Sequence, residues 1–261
     1  MSVHAGKASL RARVAKRELM CGSFVKMTDT SSIEIFGDAG FDFVVIDQEH
    51  GAFDRAAINL ALLASRAAGI AAVVRVPEVK SDAILAALDG GATGILAPHV
   101  TTVDDARALV AACRYRQGRR GFSGVTRAGG YGARAMWNHI DISDASIATI
   151  AMIEDPVALD NIAQIVAVEG LDGVFIGRGD LTVAFGAANR NDEVVVRAIN
   201  RIFEAARVAD KAVWVMVDSG TEAQTFLASG ATAVIVSSDQ ALLRKAAAAA
   251  AHEVRLSIVQ G

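Results

Sequence analysis

Cysteine is scarce in this sequence, because its 261 residues include only Cys21 and Cys113. Two cysteines cannot build the disulfide framework of a small secreted domain, and this pair lacks the close spacing of metal-binding cysteines. We therefore expect a protein of the reducing cytoplasm.

Long apolar runs and a charge bias of either sign are also missing. No uncharged apolar run reaches the roughly 18 residues of a membrane span, so no transmembrane helix is predicted. The basic N-terminal segment is not followed by an apolar core or a cleavage site, which favours a surface helix over a signal peptide. The net charge is −3 with both signs interspersed, and this pattern predicts neither a nucleic-acid partner nor a membrane partner.

Apolar residues make up 52% of the sequence and recur in short runs that alternate with helical patterns. Strands are predicted at residues 21–27, 41–46, 71–77, 93–98, 146–154, 171–177, 212–217 and 231–237. Helices are predicted at 3–19, from 30 onward, at 54–68, 81–88 and 102–115, from the fifth strand to 168, and at 192–210, 221–229 and 239–259. Eight strands alternating with eight helices, after one extra N-terminal helix, predict an α/β fold of the (β/α)8 TIM-barrel type. Such barrels typically have about 250 residues, and we expect residues 1–261 to form one domain.

Two further features bear on this architecture. A doubly wound open sheet is the alternative, but its phosphate-binding glycine fingerprint is missing after the first strand. The irregular segment 116–144 is too long for an idle connection inside a compact domain. Such segments are usually lids or contacts to a partner subunit.

The second predicted strand ends in an unusual group of polar residues. Its apolar run closes with Asp47, Glu49 and His50, and Gly51 follows. The C-terminal ends of barrel strands form one rim, where active sites lie. This stretch is therefore a candidate site, and the alternative is a polar turn in which Asp47 caps the next helix.

Other strand ends bring more polar residues to the same rim. They are Arg75, Glu154, residues 177–180, Asp218, Ser237 and Ser238. Glu154 and Asp180 follow neighbouring apolar strands, and two hard oxygen ligands suit Mg²⁺ or Mn²⁺. Their alternative role is to cap helices, since each carboxylate stands near a helix start.

Arg75 and His50 are candidates for catalysis. A guanidinium inside the apolar strand around Arg75 needs an anion, either a structural carboxylate or that of a substrate. His50 suits proton transfer near neutral pH, and Asp47 is placed to orient its imidazole. Gly177 and Gly179 leave backbone N–H groups open to a carboxylate.

Two other residues are weaker candidates. No lysine ends a predicted strand, and Lys26 lies inside one, so a Schiff-base mechanism is not expected. His99 lies on the rim, but no residue pairs with it by spacing.

Five motifs together resemble one family. They are residues 40–50 (GFDFVVIDQEH), 74–77 (VRVP), 88–92 (LDGGA), 153–154 (IE) and 171–181 (LDGVFIGRGDL). In order and spacing they resemble the metal-dependent class II pyruvate aldolases of the HpcH/HpaI type. That family includes 4-hydroxy-2-oxoheptanedioate and 2-keto-3-deoxy sugar acid aldolases.

The resemblance implies a reaction and roles for the residues. It implies cleavage of a 4-hydroxy-2-oxo acid, through an enolate, into pyruvate and an aldehyde. Glu154 and Asp180 would hold a divalent metal, Mg²⁺ or Mn²⁺ first and Co²⁺ as an alternative. Arg75 would bind the keto oxygen, and His50, oriented by Asp47, would act as the base. N–H groups around Gly179 and Asp180 would hold the substrate carboxylate.

The resemblance also implies an assembly. The family forms a homo-hexamer, a trimer of dimers, in which C-terminal helices are exchanged between neighbouring subunits. Asp89 matches a family aspartate but follows a helix, so it is expected at the far rim of its own barrel. If it acts in catalysis, it would reach a neighbouring subunit's site.

Three departures from the family pattern leave the reaction open. Met152 replaces a frequent glutamine on the pocket face, Arg178 replaces a usual proline, and residues 116–121 lack the usual prolines. Both Met152 and Arg178 are therefore candidate substrate contacts. Two alternative hypotheses remain beside the aldolase. One is a citrate-synthase-like condensation of a 2-oxo acid or oxaloacetate with an acyl donor, and the other is an inactive 2-oxo-acid-binding homologue.

Overall fold

The computed structural model describes residues 8–259, and within them eight parallel strands close into a barrel in sequence order. The first strand pairs with both the second and the eighth. The strands are β1 Met20–Val25, β2 Phe43–Asp47, β3 Ala71–Arg75, β4 Gly94–Ala97, β5 Ala148–Ile153, β6 Gly173–Ile176, β7 Ala212–Val217 and β8 Ala233–Ser238. The predicted (β/α)8 architecture is confirmed, and each predicted strand overlaps an observed one.

Helices surround this barrel. They are α1 Leu10–Ala15, α2 Ser31–Asp38, α3 Arg55–Ala68, α4 Ser81–Gly90, α5 Val103–Cys113, α6 Met136–Ser146, α7 Ala158–Val166, α8 Arg178–Ala184, α9 Glu193–Val208, α10 Gly220–Ala228 and α11 Asp239–Val259. Within the part of the chain that the structure describes, no helix combines the length and hydrophobicity needed to cross a membrane.

Strand alternation divides the core into two clusters. Residues such as Val44 and Val74 point outward and pack against the helices. Phe43, Val45 and Trp214 point inward and fill the barrel, and the rings of Phe43 and Trp214 lie 4.7 Å apart. Because successive strand residues point to opposite faces, position 47 shares the inward face with positions 43 and 45.

The extra helix α1 closes the N-terminal end of the barrel. Leu10 and Val14 of α1 join the inner cluster, and Arg11 forms an ion pair of 2.8 Å with Asp172, just before β6. The predicted N-terminal helix is thus present over Leu10–Ala15, and its predicted residues 3–7 lie outside the described part of the chain. With this end covered, the opposite rim is the open mouth.

Two helices were not predicted. Helix α6 begins at Met136, inside the segment expected to be irregular, and α8 begins at Arg178. Neither helix has a capping side chain, because the N-cap residues Ala135 and Gly177 make no side-chain hydrogen bond. Glycine also disfavours helices, so the presence of Gly179 in α8 argues against a helix at these residues.

Candidate active site

Asp47 and Arg75 form a buried ion pair at the mouth of the barrel. They are register partners at the ends of β2 and β3, so both side chains point inward at the same level. Arg75 Nε donates to Asp47 Oδ1 at 2.9 Å, and Nη2 donates to Oδ2 at 2.7 Å. Asp47 is fully buried and Arg75 is 5% exposed. Arg75 was predicted to need either a structural carboxylate or that of a substrate. The structure shows the first of these, the carboxylate of Asp47.

The environment of Asp47 keeps its carboxylate charged. Burial would raise its pKa, but the hydrogen bonds and charge of Arg75, the His50 N–H and the charge of Lys26 together lower it. The Lys26 ammonium lies 3.2 Å from Oδ2. Asp47 Oδ1 also accepts a hydrogen bond of 3.1 Å from the backbone N–H of His50. The side-chain partners of Asp47 are Arg75 and Lys26. The predicted role of Asp47 in orienting the His50 imidazole is not what the structure shows.

His50 lies at the open edge of the site. Its side chain is 58% exposed, and its Nε2 lies 3.9 Å from Glu49 Oε2. Because the β2 strand ends at Asp47, the following turn carries the imidazole out over the mouth. This position gives a base access to both substrate and solvent.

The third nitrogen of Arg75 faces the interior of the site. Nη1 lies 3.0 Å from Glu49 Oε2 and 3.9 Å from Met152 Sδ, and the guanidinium stands over the Phe24 ring at 5.0 Å. Glu49 Oε2 is buried. It forms this ion pair with Arg75 but accepts no hydrogen bond. Met152, predicted to share the pocket face with Glu154, belongs to the inner cluster.

Glu154 is a buried carboxyl group at the end of β5. It is 2% exposed, and Oε1 accepts a hydrogen bond of 2.8 Å from the His99 backbone N–H. Burial raises its pKa to about 7, and the charges of Asp180 and Glu49 add to this effect, while the His99 N–H and imidazole oppose it. A buried carboxyl group surrounded by other carboxylates is stabilised in its charged form by a bound cation.

Glu154 belongs to a group of side chains that fits a metal ion. Ligand atoms of Glu49, His99 and Glu154 all lie within 4.8 Å of one another. The His99 ring lies 3.4 Å from Glu154 Oε1 through Nδ1 and 3.7 Å from Glu49 Oε1 through Nε2. Two carboxylates and an imidazole are a suitable donor set for a divalent cation, so this is a candidate metal site.

Asp180 stands in the first turn of α8 and is exposed. Its charge contributes to the raised pKa of Glu154, which places the two predicted ligands within electrostatic reach of each other. The sequence identified this pair but gave Glu49 no role and left His99 without a partner. The missing information was spatial, because β2, β4 and β5 bring Glu49, His99 and Glu154 together only in the closed barrel.

Arg178 does not place a free cation in the site. Its side chain is buried, forms an ion pair of 2.6 Å with Glu222 of α10, and stands over the Phe226 ring at 4.7 Å. The prediction that Arg178 contacts substrate is therefore corrected: its charge is neutralised between α8 and α10. This contact fixes the position of the helix that carries Asp180.

The two predicted glycines have different surroundings. Gly177 donates its N–H to Ile153 O at 3.0 Å, so this group is not open to a ligand as predicted. A Cβ on Gly177 would lie 2.5 Å from Glu154 Cβ and 2.9 Å from Met152 Cε, whereas one on Gly179 would meet nothing within 4 Å. The space beside Gly177 is therefore occupied by the Glu154 side chain, and Gly179 faces open space.

This difference gives a matched pair of variants. Gly177→Ala should displace the Glu154 carboxylate and weaken Mn²⁺ binding about tenfold or more, because misplaced ligands lose affinity. Gly179→Ala, two residues away, should bind Mn²⁺ as the wild type does. Isothermal titration calorimetry measures both, with circular dichroism to confirm folding. Equal Mn²⁺ affinity in the two folded variants would contradict this account of Gly177.

Asp89 lies in the last turn of α4, at the end of the barrel opposite Glu154. The buried Arg120 donates to its Oδ1 at 3.0 Å, which ties α4 to the segment after α5. This location agrees with the far rim expected from the sequence. A role for Asp89 in a neighbouring subunit's site stays a prediction.

Fold and site together define a (β/α)8 enzyme with a buried acidic cluster at its C-terminal rim. The sequence profile of the HpcH/HpaI aldolase/citrate lyase family matches residues 20–246. The 5-keto-4-deoxy-D-glucarate aldolase of Enterobacter sp. (strain 638) is 35% identical over 238 residues, which are 90% of this chain and 92% of that protein. The chain therefore belongs to the HpcH/HpaI aldolase/citrate lyase family and is a carbon–carbon lyase.

Two solved structures are similar over nearly the full length. A HpcH/HpaI aldolase/citrate lyase family protein from Burkholderia cenocepacia J2315 superposes with a TM-score of 0.90 at 29% identity, covering 94% of this chain and 98% of that one. The citrate synthase SbnG superposes with a TM-score of 0.87 at 28% identity, covering 96% and 99%. The scaffold is thus shared by proteins with aldolase and citrate synthase names.

Proposed function

We propose that this enzyme is a metal-dependent aldolase that cleaves a 4-hydroxy-2-oxo acid into pyruvate and an aldehyde. The observation that carries this proposal is the buried Glu154 carboxyl group, with the charges of Asp180 and Glu49 acting on it and Arg75 paired with Glu49. Glu154 and Asp180 would hold the divalent metal, Mg²⁺ or Mn²⁺ first and Co²⁺ as an alternative. Such a metal, when bound, polarises the 2-keto oxygen of a substrate.

The side chains of this site suit the steps of the cleavage. His50 removes the proton of the 4-hydroxyl group, the C3–C4 bond breaks, and its electrons move toward the 2-keto oxygen as an enolate. Protonation at C3 then gives pyruvate, and the other fragment leaves as the aldehyde. Arg75, held rigidly by Asp47, directs positive charge at the developing enolate, which is favourable because its geometry needs no reorganisation. N–H groups around Gly179 and Asp180 would hold the carboxylate.

A direct experiment tests this function. Purified protein with Mg²⁺ or Mn²⁺ should release pyruvate from 5-keto-4-deoxy-D-glucarate, which is the substrate named for the Enterobacter relative. It should also exchange the methyl protons of pyruvate with deuterium, because enolate formation is reversible. Absence of both reactions with every metal tested would refute the aldolase proposal.

A polar cavity favours a polyhydroxylated substrate. The cavity of about 550 Å³ is lined by Gly179, Thr182, Asn189 and Asn191 and by the carboxylates of Asp218 and Glu222. Arg190 is also in its wall and forms an ion pair of 2.9 Å with Asp218. Hydroxyl, amide and carboxylate groups bind sugar hydroxyls through hydrogen bonds. We propose that the far end of a sugar acid lies there while its 2-oxo acid end lies at Glu154.

This proposal predicts a selective effect of Asn191→Ala. Losing one hydrogen bond of about 1–1.4 kcal/mol should raise KM for 5-keto-4-deoxy-D-glucarate about five- to tenfold. Proton exchange in pyruvate should be unchanged, since pyruvate lacks the distal hydroxyl groups that Asn191 would bind. Steady-state kinetics and NMR measure the two effects, and Asn200→Ala, at an exposed position of α9, is the control. An equal loss in both reactions would contradict a role limited to the distal end.

A condensation of the citrate-synthase type is the second candidate. It is favoured by the similarity to SbnG and by Met152, which replaces a usual amide of the aldolases. A panel of 2-oxo acids and oxaloacetate, assayed with and without acyl donors, separates the two reactions. Binding of a 2-oxo acid without turnover of any panel member would support the third hypothesis, an inactive homologue.

We also propose that the chain assembles into a homo-hexamer through α11. Beyond Leu243 this helix is exposed, and Val254 and Ile258 are 59% and 71% exposed. Apolar residues on a helix usually need a partner surface, and exchange between neighbouring subunits would supply one. Light scattering of the purified protein measures the mass, and a monomer would contradict the assembly.

A further inference from the structure

His99 carries the strongest inference beyond the proposed function. We propose that His99 supplies a nitrogen ligand to the divalent metal at Glu154 and thereby shifts the site's preference from Mg²⁺ toward Co²⁺ and Mn²⁺. This inference rests on the metal site of the proposed function and adds a ligand to it. Three observations support it: the backbone of His99, the hydrogen bond on its ring and the position of Glu49.

The backbone at His99 has an unusual conformation. His99 follows β4 with φ of 52°, in the left-handed region that residues with a side chain seldom adopt. Such strain persists where surrounding contacts hold it, and it concentrates at functional sites. Here the His99 N–H donates to Glu154 Oε1 at 2.8 Å. One residue therefore holds the buried carboxylate through its backbone and directs its imidazole to the same place.

The hydrogen bond on the ring leaves the other nitrogen available. Asp155 Oδ2 lies 3.0 Å from Nδ1 and is its nearest carboxylate oxygen, ahead of Glu154 Oε1 at 3.4 Å. In the neutral tautomer with its proton on Nδ1, that proton is shared with Asp155 and the lone pair is on Nε2. A carboxylate on one imidazole nitrogen, with the other nitrogen free, is the usual arrangement of metal-binding histidines.

The Nε2 atom faces an oxygen that suits the same ion. It lies 3.7 Å from Glu49 Oε1, while Arg75 Nη1 lies against Oε2 of the same carboxylate. Arg75 thus holds Glu49 with Oε1 turned toward His99. Ligand atoms that share an ion at about 2.0–2.2 Å are about 3–4 Å apart. Ligand atoms of Glu49, His99 and Glu154 all lie within 4.8 Å of one another, so a small closing movement brings them into this range.

The chemistry of the ligands determines the metal preference. A site of carboxylates alone suits Mg²⁺, which keeps oxygen and water ligands, whereas an imidazole nitrogen favours first-row transition metals. The alternative is that His99 is a protonated side chain whose charge balances Glu49, Glu154 and Asp155. The two interpretations predict opposite effects of removing the imidazole, because loss of a cation would strengthen metal binding and loss of a ligand would weaken it.

The test compares metal affinities in the full-length protein. Co²⁺, Mn²⁺ and Mg²⁺ are titrated separately into wild type, His99→Gln and Asp155→Asn by isothermal titration calorimetry, with Asn200→Ala at an exposed position of α9 as the control. His99→Gln should lose about 10- to 100-fold in Co²⁺ affinity, with a smaller loss for Mg²⁺, and Asp155→Asn should show an intermediate loss. Asn200→Ala should bind all three metals as the wild type does.

A spectroscopic measurement reports the ligand directly. Pulsed electron paramagnetic resonance of the Mn²⁺-loaded wild type should show coupling to a histidine nitrogen, and the signal should disappear in His99→Gln. Co²⁺ or Mn²⁺ binding that is unchanged or stronger in folded His99→Gln, or metal binding without a nitrogen signal, would overturn the proposal while leaving the aldolase site intact. Failure of the wild type to bind any of the three metals would refute the metal site as a whole.

Discussion

Replacing Glu154 with glutamine is expected to abolish divalent-metal binding and aldol cleavage together. The amide has the shape of the carboxylate and still accepts the His99 N–H through its oxygen, which lies at 2.8 Å in the wild type. It lacks the charge that holds a cation. Metal affinity should fall about 100-fold or more, and turnover about 1,000-fold, because several kcal/mol of transition-state stabilisation are lost.

This variant also separates function from folding. Burial disfavours the charged form of Glu154, whose pKa lies at about 7, so a neutral amide avoids this cost and the variant should be at least as stable as the wild type. Titration calorimetry, pyruvate release and urea denaturation measure the three effects. A stable variant that binds Mn²⁺ normally would contradict the assignment of Glu154 as a ligand.

His50→Ala is the informative comparison. Removing a general base should lower turnover about 100- to 10,000-fold. Metal affinity should remain close to that of the wild type, because the exposed imidazole of His50 is not part of the Glu49, His99 and Glu154 cluster. If the two variants lost metal binding equally, the separate roles of Glu154 and His50 would be wrong.

The strands and the rim could be predicted because they depend on local pattern. Short apolar runs with polar ends are typical of parallel strands buried on both faces, and β7 was predicted at its observed bounds. The parallel order then places every strand's C-terminal end on one rim. Glu154 and Asp180 were identified in this way without knowledge of any contact.

Contacts between rim residues could not be predicted, since they depend on register and side-chain direction. Asp47 was assigned to His50, its neighbour in sequence, but its register partner on β3 is Arg75. His99 has no partner by sequence spacing, because Glu49 and Glu154 are about 50 residues away on either side. Arg178 was expected in the site, yet α8 was not foreseen, and that helix directs the guanidinium to Glu222.

The Asp47–Arg75 pair also predicts a large effect on the stability of the protein. Arg75→Met should lower the free energy of unfolding by about 3–5 kcal/mol, because the fully buried Asp47 carboxylate loses both of its bonds to the guanidinium. Lys26, at 3.2 Å from Asp47, compensates in part and favours the lower end of that range. Chemical denaturation monitored by circular dichroism measures the change.

Two further variants determine whether the buried charge is the cause. Combining Arg75→Met with Asp47→Leu removes both charges, and the double variant should recover much of the loss, since apolar replacements of a buried pair are often neutral. Arg197→Met breaks an exposed pair with Glu193 on α9 and should cost at most about 0.5 kcal/mol. If Arg75→Met were no more destabilising than Arg197→Met, the Asp47–Arg75 pair would not be what holds the ends of β2 and β3 in place. Arg75 would then be kept at the mouth for its chemistry alone, because its remaining nitrogen faces Glu49 and the proposed metal site.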